Sequence, residues 1–246
     1  MKTAGIIPAR YQSTRLPGKP LLKLTGKYLI QHVWERACRA ASLDAVIIAT
    51  DDKRILRAAG EFGADARMTA ALHSTGTDRA AEVAAGLDCE LVVNIQGDEA
   101  EIEPGAIDAA VAALRGSPDA AMSTLAHRTY DAKRAADPNV VKVVCDARGR
   151  ALYFSRAPIP HPRDAGTDAG WLLHVGLYAF RKDFLLTYTR MPPTPLEMTE
   201  KLEQLRAIEN GFAIQVALTD YEALGIDTPA DYEAFVKRYA ATGGHT

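Results

Sequence analysis

Apolar positions in the first half of the chain fall into two alternating rhythms. Mainly apolar runs at 3–8 (TAGIIP), 45–50 (AVIIAT), 90–96 (ELVVNIQ) and 120–126 (AAMSTLA) read as buried strands. Between them the spacing is helical: YLIQHVWERACRAA at 28–41, DKRILRAAGEFG ending at Gly63, TDRAAEVAAGL at 77–87 and PGAIDAAVAALRG at 104–116. Thr77 is a candidate N-cap, and Pro104 sits where a first helical turn tolerates it. Apolar strands alternating with amphipathic helices predict an α/β fold with a mostly parallel, doubly wound sheet.

The rhythm changes near residue 139. VVKVVCD, ARGR and ALYFSR in succession predict an antiparallel hairpin, followed by a strand at LHVGLYAF. PLEMTEKLEQLRAIENG predicts one helix with Met198, Leu202 and Leu205 as its apolar stripe and Gly211 as its end. A strand at AIQVAL and a last helix from Thr228 complete the chain, and the tail TGGHT is expected to fray. This reads as one domain over 1–246 with a small antiparallel lobe at about 139–190.

Composition narrows the function. With 246 residues, 48% apolar and 24% charged, the chain can bury a sizeable core. A formal net charge of −2 argues against nucleic acid or an anionic membrane as partner. Cys38, Cys89 and Cys145 are odd in number and far apart, which predicts core thiols in a reducing compartment rather than disulfides or a zinc site. No run reaches membrane-spanning length, so a cytoplasmic location is expected.

Local charge therefore stands out. Directly after the first strand comes PARYQSTRLPGKPL, with Arg10, Arg15 and Lys19 around the turn formers Pro17 and Gly18. Loop amides and guanidinium groups so placed suit phosphate oxygens. Neither a G-x-G-x-x-G nor a G-x-x-x-x-G-K-[ST] pattern is present, which disfavours a nicotinamide-dependent reductase. Gly97-Asp98 follows another strand end, and Asp227 precedes a helix start at Thr228-Pro229. Asp98 at such a turn can hold Mg²⁺, and Asp227 is the candidate second carboxylate. Glu99, Glu101 and Glu103 individually read as a solvated acidic loop. His174 and Tyr178 share a strand face by their period-two spacing. A basic loop and two carboxylates at strand ends suggest phosphoryl or nucleotidyl transfer.

The ordered series IIPARYQSTRLPGKPL, ATDD, TGTDR, NIQGDE, DPNVVKVV, ALYFSRAPIP, HVGLYAF, TEKLEQLRAIENG and IDTPADY resembles the 3-deoxy-manno-octulosonate (Kdo) cytidylyltransferase family over nearly the whole chain. The resemblance implies a Rossmann-like nucleotidyltransferase fold, Mg²⁺ as cofactor, and transfer of CMP from CTP to Kdo for lipopolysaccharide biosynthesis. Another 2-keto sugar acid, an amino-Kdo or an acylneuraminate, is the alternative acceptor. It implies Arg10, Lys19, Asp98 and Asp227 as catalytic, with Asp98 and Asp227 on the metal. The metal would bridge phosphate and the attacking hydroxyl. Pro8, Ala9, Arg10, Arg15, Lys19, Arg79 and Gln96 would bind the nucleotide. Gln96, Arg156, His174, Tyr178, Glu203 and Gln204 would bind the sugar. A homodimer with the lobe near its interface is also implied. Two positions depart from the family pattern. Ala100 and Glu101 stand where proline and an apolar residue are usual, which is expected to loosen the loop behind Asp98. Leu173 replaces a basic residue before His174.

Overall fold

In a computed structural model, residues 1–12, 15–164 and 170–243 are described. Ser13 and Thr14 of the basic stretch, and the tail from residue 244, lie outside them. In chain order the elements are β1 Thr3–Ala9, a 3-10 turn at Lys19–Leu21, α1 Leu29–Ala37, β2 Ala45–Thr50, α2 Lys53–Glu61, β3 Asp65–Met68, α3 Gly76–Ala85 and β4 Leu91–Asn94. Then follow α4 Pro104–Arg115, β5 Ala120–Thr129, α5 Ala132–Ala136, β6 Lys142–Cys145, β7 Ala151–Ser155 and β8 Trp171–Arg181. The chain closes with α6 Lys182–Tyr188, α7 Pro195–Glu200, α8 Leu205–Glu209, β9 Ala213–Leu218 and α9 Pro229–Ala241.

Contacts group the chain into two compact units, Met1–Ile107 with Ala223–Thr246, and Asp108–Glu222. In the first, β2 pairs with β1 and β3, and β1 pairs with β4, all parallel. The strands are apolar for that reason: Ile6, Ile7, Ile48, Val92 and Val93 are all fully buried. β3 pairs with β2 alone among the described pairings, and its DARM sequence is half exposed, so it carried no apolar signal. Within the second unit, β5 pairs parallel with β9 and antiparallel with β8, while β6 pairs antiparallel with β7 and β8. The structure is thus mixed α/β, mostly parallel, with the antiparallel hairpin at β6–β7 where the rhythm changed.

Several boundaries differ from the sequence expectation. The N-cap of α3 is Thr75, not Thr77: Thr75 and Asp78 form a reciprocal capping box. Thr77 is instead buried and accepts a bond from Asn94 Nδ2 at 3.3 Å. α1 ends at Ala37, and Cys38 beyond it is exposed rather than a core thiol. The single helix expected over 195–211 is two, because Lys201 takes a left-handed conformation (φ 55°) between α7 and α8. Met198 is consequently exposed while Leu202 and Leu205 remain buried. Thr228 caps α9, as expected, in a reciprocal capping box with Asp231. Asp231 accepts from the Thr228 amide at 2.8 Å and the Asp227 amide at 3.1 Å, which fixes the main chain at Asp227.

Candidate active site

The basic stretch after β1 folds back on itself around Tyr11. Gly18 donates its amide to Tyr11 O at 3.2 Å. Gly18 has φ 68°, and a Cβ there would sit 3.2 Å from the Tyr11 ring. On Tyr11, the Arg54 guanidinium stacks with its centre 3.3 Å from the ring centroid. Asp52, the N-cap of α2, holds that guanidinium through Oδ1 at 2.9 Å and Oδ2 at 2.6 Å. The turn then delivers Lys19 at the head of the 3-10 turn.

Lys19 joins the two predicted aspartates. Its ammonium lies 2.8 Å from Asp98 Oδ2 and 3.0 Å from Asp227 Oδ1. Arg15 donates to the other Asp227 oxygen at 2.9 Å. All four residues belong to the first unit. Gly97 makes the approach possible, since a Cβ on it would lie 2.6 Å from Pro8 O. Pro8, Ala9, Arg10, Arg15, Lys19 and Asp98 line a cavity of about 370 Å³, together with Arg79 and Gln96. Sequence reasoning missed Gln12, Pro20 and Gly76 in that lining. Arg10 reaches Ser74 O at 3.5 Å. Arg79 is buried, bonded to Thr69 Oγ1, and paired with Asp51 at 3.0 Å. Asp51 belongs to the ATDD motif, whose signal was present without a partner to explain it.

The loop behind Asp98 is tied down. Glu101 takes the Arg238 guanidinium of α9 on both carboxylate oxygens, with Nε at 3.1 and 3.0 Å. Asp98 O accepts from the Ile226 amide at 3.1 Å, and Ile102 O accepts from Arg36 Nε at 2.5 Å. Glu99 is buried, not solvated, and Ala100 is buried beside it. Contacts from Arg36, Ile226 and Arg238 restrain the loop in which Ala100 and Glu101 stand.

Two carboxylates converging on one ammonium make a seat for positive charge. The all-oxygen donor pair suits Mg²⁺, which takes one or two carboxylates together with phosphate oxygens and water. Among the described residues no cluster of three or more His, Cys, Asp or Glu is placed to hold a metal, so the other ligands would be substrate and water.

The predicted sugar residues other than Gln96 fall in the second unit. His174 and Tyr178 do share a face of β8, with ring centroids 5.4 Å apart. His174 packs edge-on against Phe154 and has Nε2 2.9 Å from Thr124 Oγ1. Burial pushes the His174 pKa down to about 3, so the imidazole is neutral at ordinary pH. Burial, with the Glu203 carboxylate second, raises that of the Tyr178 phenol. Gln204 is buried, and its Nε2 has no hydrogen-bond partner among the described residues. Glu203 offers its main-chain carbonyl to Tyr188 OH at 2.5 Å. Arg156 is anchored rather than extended. Its Nε donates to Glu200 O at 2.7 Å, Nη1 to Pro138 O at 2.8 Å and Nη2 to Lys201 O at 3.4 Å. Glu200, absent from the sequence reading, accepts from Ser155 Oγ at 2.6 Å and the Arg156 amide at 2.9 Å. Leu173 is buried with Val175 and Leu177, on the strand face opposite His174.

Known proteins resemble this chain over most of its length. Residues 4–216 match the family model for cytidylyltransferases. A 3-deoxy-manno-octulosonate cytidylyltransferase of Solibacter usitatus is 54% identical over 98% of this chain and 96% of its own. One from Geobacter metallireducens is 51% identical over 97% of this chain and 98% of its own. A solved structure of CMP:2-keto-3-deoxy-manno-octonic acid synthetase complexed with CTP superposes with a TM-score of 0.94 at 43% identity, covering 98% of this chain and 100% of that one. A cytidylyltransferase structure from Leptospira borgpetersenii shares the fold at 18% identity and a TM-score of 0.66, covering 98% of this chain and 87% of that one. The chain belongs to the cytidylyltransferase family and, within it, to the 3-deoxy-manno-octulosonate cytidylyltransferases.

Proposed function

We propose that the chain transfers CMP from CTP to the anomeric hydroxyl of Kdo, with Mg²⁺, yielding CMP-Kdo and pyrophosphate. The observation that carries this reading is Lys19 held between Asp98 and Asp227 at a cavity whose lining also presents Arg10, Arg15 and Gln96. The likeness to a synthetase solved with CTP supports the nucleotide, and the names of the close relatives support the sugar acid.

The sugar oxygen forms a bond to the α-phosphorus while the bond from that phosphorus to the pyrophosphate bridging oxygen breaks. The hydroxyl proton leaves to solvent. Arg10, Arg15 and Lys19 bind the triphosphate and offset the charge that grows on the departing pyrophosphate. Asp98 and Asp227 hold Mg²⁺, which when bound neutralises phosphate charge and acidifies the attacking hydroxyl. Arg79 and the backbone at Pro8 and Ala9 orient the cytidine, and Gln96 serves both substrates. Arg156 binds the sugar carboxylate: three of the guanidinium's five N–H donors are engaged with carbonyls, which leaves capacity for an anion. Neutral His174, the Tyr178 phenol, Glu203 and the Gln204 Nε2, unpartnered among the described residues, meet the sugar hydroxyls. The enzyme works in the cytoplasm as a homodimer, supplying an activated sugar acid for lipopolysaccharide.

Pyrophosphate release measured with CTP, Mg²⁺ and a panel of sugar acids tests this. Turnover is expected with Kdo and little with acylneuraminates. Turnover of an acylneuraminate alone would overturn the assignment of the acceptor.

A further inference from the structure

Lys142 opens β6 and is fully buried. A buried ammonium is costly unless its donors are satisfied. All three are: Nζ donates to Val140 O at 2.6 Å, Arg156 O at 2.6 Å and Asp137 O at 3.0 Å. The pattern closes on itself. Lys142 holds the carbonyl of Arg156, while the Arg156 side chain returns to Pro138 O at 2.8 Å, inside the segment that Lys142 grips. Glu200 clamps the same place from α7, through the Arg156 amide at 2.9 Å and, by its main-chain oxygen, through Arg156 Nε at 2.7 Å. Burial of the ammonium lowers its pKa, and the cost of that burial is one the fold bears in order to hold one short segment.

We propose that Lys142 is a positioning residue for the sugar-acid subsite, fixing Arg156 by gripping the main chain at Asp137, Val140 and Arg156 itself. The inference rests on the functional reading above, in which Arg156 meets the sugar carboxylate. Lys142 touches no substrate and acts through Arg156. A lysine suits the task because three rotatable donors on one nitrogen reach three carbonyls that a planar guanidinium fork cannot match.

The test is steady-state kinetics on the full chain with CTP and Kdo varied separately, for the wild type, Lys142→Met and Lys142→Arg. Both variants are expected to raise KM for Kdo about tenfold while KM for CTP stays within about twofold. Calorimetric CTP binding is expected to match the wild type. A purely structural role would lower the active fraction and move kcat without separating the two KM values. Should Lys142→Met fail to fold, Glu200→Gln loosens the same brace from α7 and is expected to show the same split. If the wild type turns over Kdo and folded variants keep its KM, or raise both KM values alike, the inference is overturned on its own. A wild type inert with Kdo overturns the functional reading, and the inference with it.

Discussion

Lys19 balances two carboxylates at 2.8 and 3.0 Å, so removing either charge changes what the site can hold. Asp98→Asn keeps the shape and removes one anion. CTP binding is expected to persist by calorimetry while kcat falls by at least about a hundredfold, the scale seen when one preorganised charge-stabilising group is lost. Undiminished turnover would take Asp98 out of the metal role. His174 gives a pH expectation. With its pKa pushed down to about 3, it stays neutral across neutral pH, so the kcat/KM profile should show no inflection from it near the ordinary histidine value of about 6.5. A profile step near that value that disappears in His174→Gln would contradict this. Much at this scale was legible from sequence. Charged residues beside Pro17, Gly18 and Gly97 sit where strands must end, and ends of parallel strands are where ligands gather. Lys142 was not legible because its partners are main-chain carbonyls that leave no mark on sequence spacing, and Glu200 was not because Ser155 and Arg156 lie 45 and 44 positions away.

At the scale of elements, close approach of two strand ends sets the geometry. Gly97 lies where a Cβ would be 2.6 Å from Pro8 O, and that atom is backbone and cannot yield cheaply. Gly97→Ala is expected to shift Asp98 and lower kcat by roughly tenfold or more, a misplacement effect measured by pyrophosphate release. The Glu101–Arg238 pair ties the same loop to α9, with side chains 23% and 42% exposed. Partial exposure limits its worth to about 0.5–1 kcal/mol, so Glu101→Gln should cost only a small drop in melting temperature. His32 links α1 to α9, its ring edge-on to Phe235 and Tyr239 and 2.7 Å from Thr25 Oγ1. Burial lowers its pKa to about 4. The unfolded chain then binds a proton on falling below about pH 6.5 that the native state refuses until about pH 4, so stability declines over that window. Thermal melts against pH should show this slope, and His32→Gln should reduce it. The alternation of strands and helices was readable because it rests on local periodicity. The break at Lys201 was not, since EKLEQLR has good helix formers throughout. What interrupts it is tertiary: Glu200 is held by Ser155 and Arg156, and Tyr188 takes the carbonyl of Glu203. The half-exposed β3 was missed for the complementary reason, that its pairing lacks an apolar pattern.

For the whole molecule, a near-neutral chain would, on the proposed reading, meet a highly charged nucleotide with a local cluster of cations and carboxylates rather than with its net charge. No helix among the described residues is long and apolar enough to cross a membrane. The first unit carries the residues proposed for the triphosphate, and the second carries those proposed for the sugar acid, with Gln96 the exception. Sequence placed both groups in order along the chain. It could not show that Arg15, Lys19, Asp98 and Asp227 form one network, because Lys19 and Asp227 are 208 positions apart. The most direct test of the account follows a mixture of the wild type, CTP, Kdo and Mg²⁺ by phosphorus NMR. Attack at the α-phosphorus predicts that CTP disappears as pyrophosphate and a CMP diester appear in equal amounts. CTP left unchanged, or converted to CDP and inorganic phosphate, would contradict it.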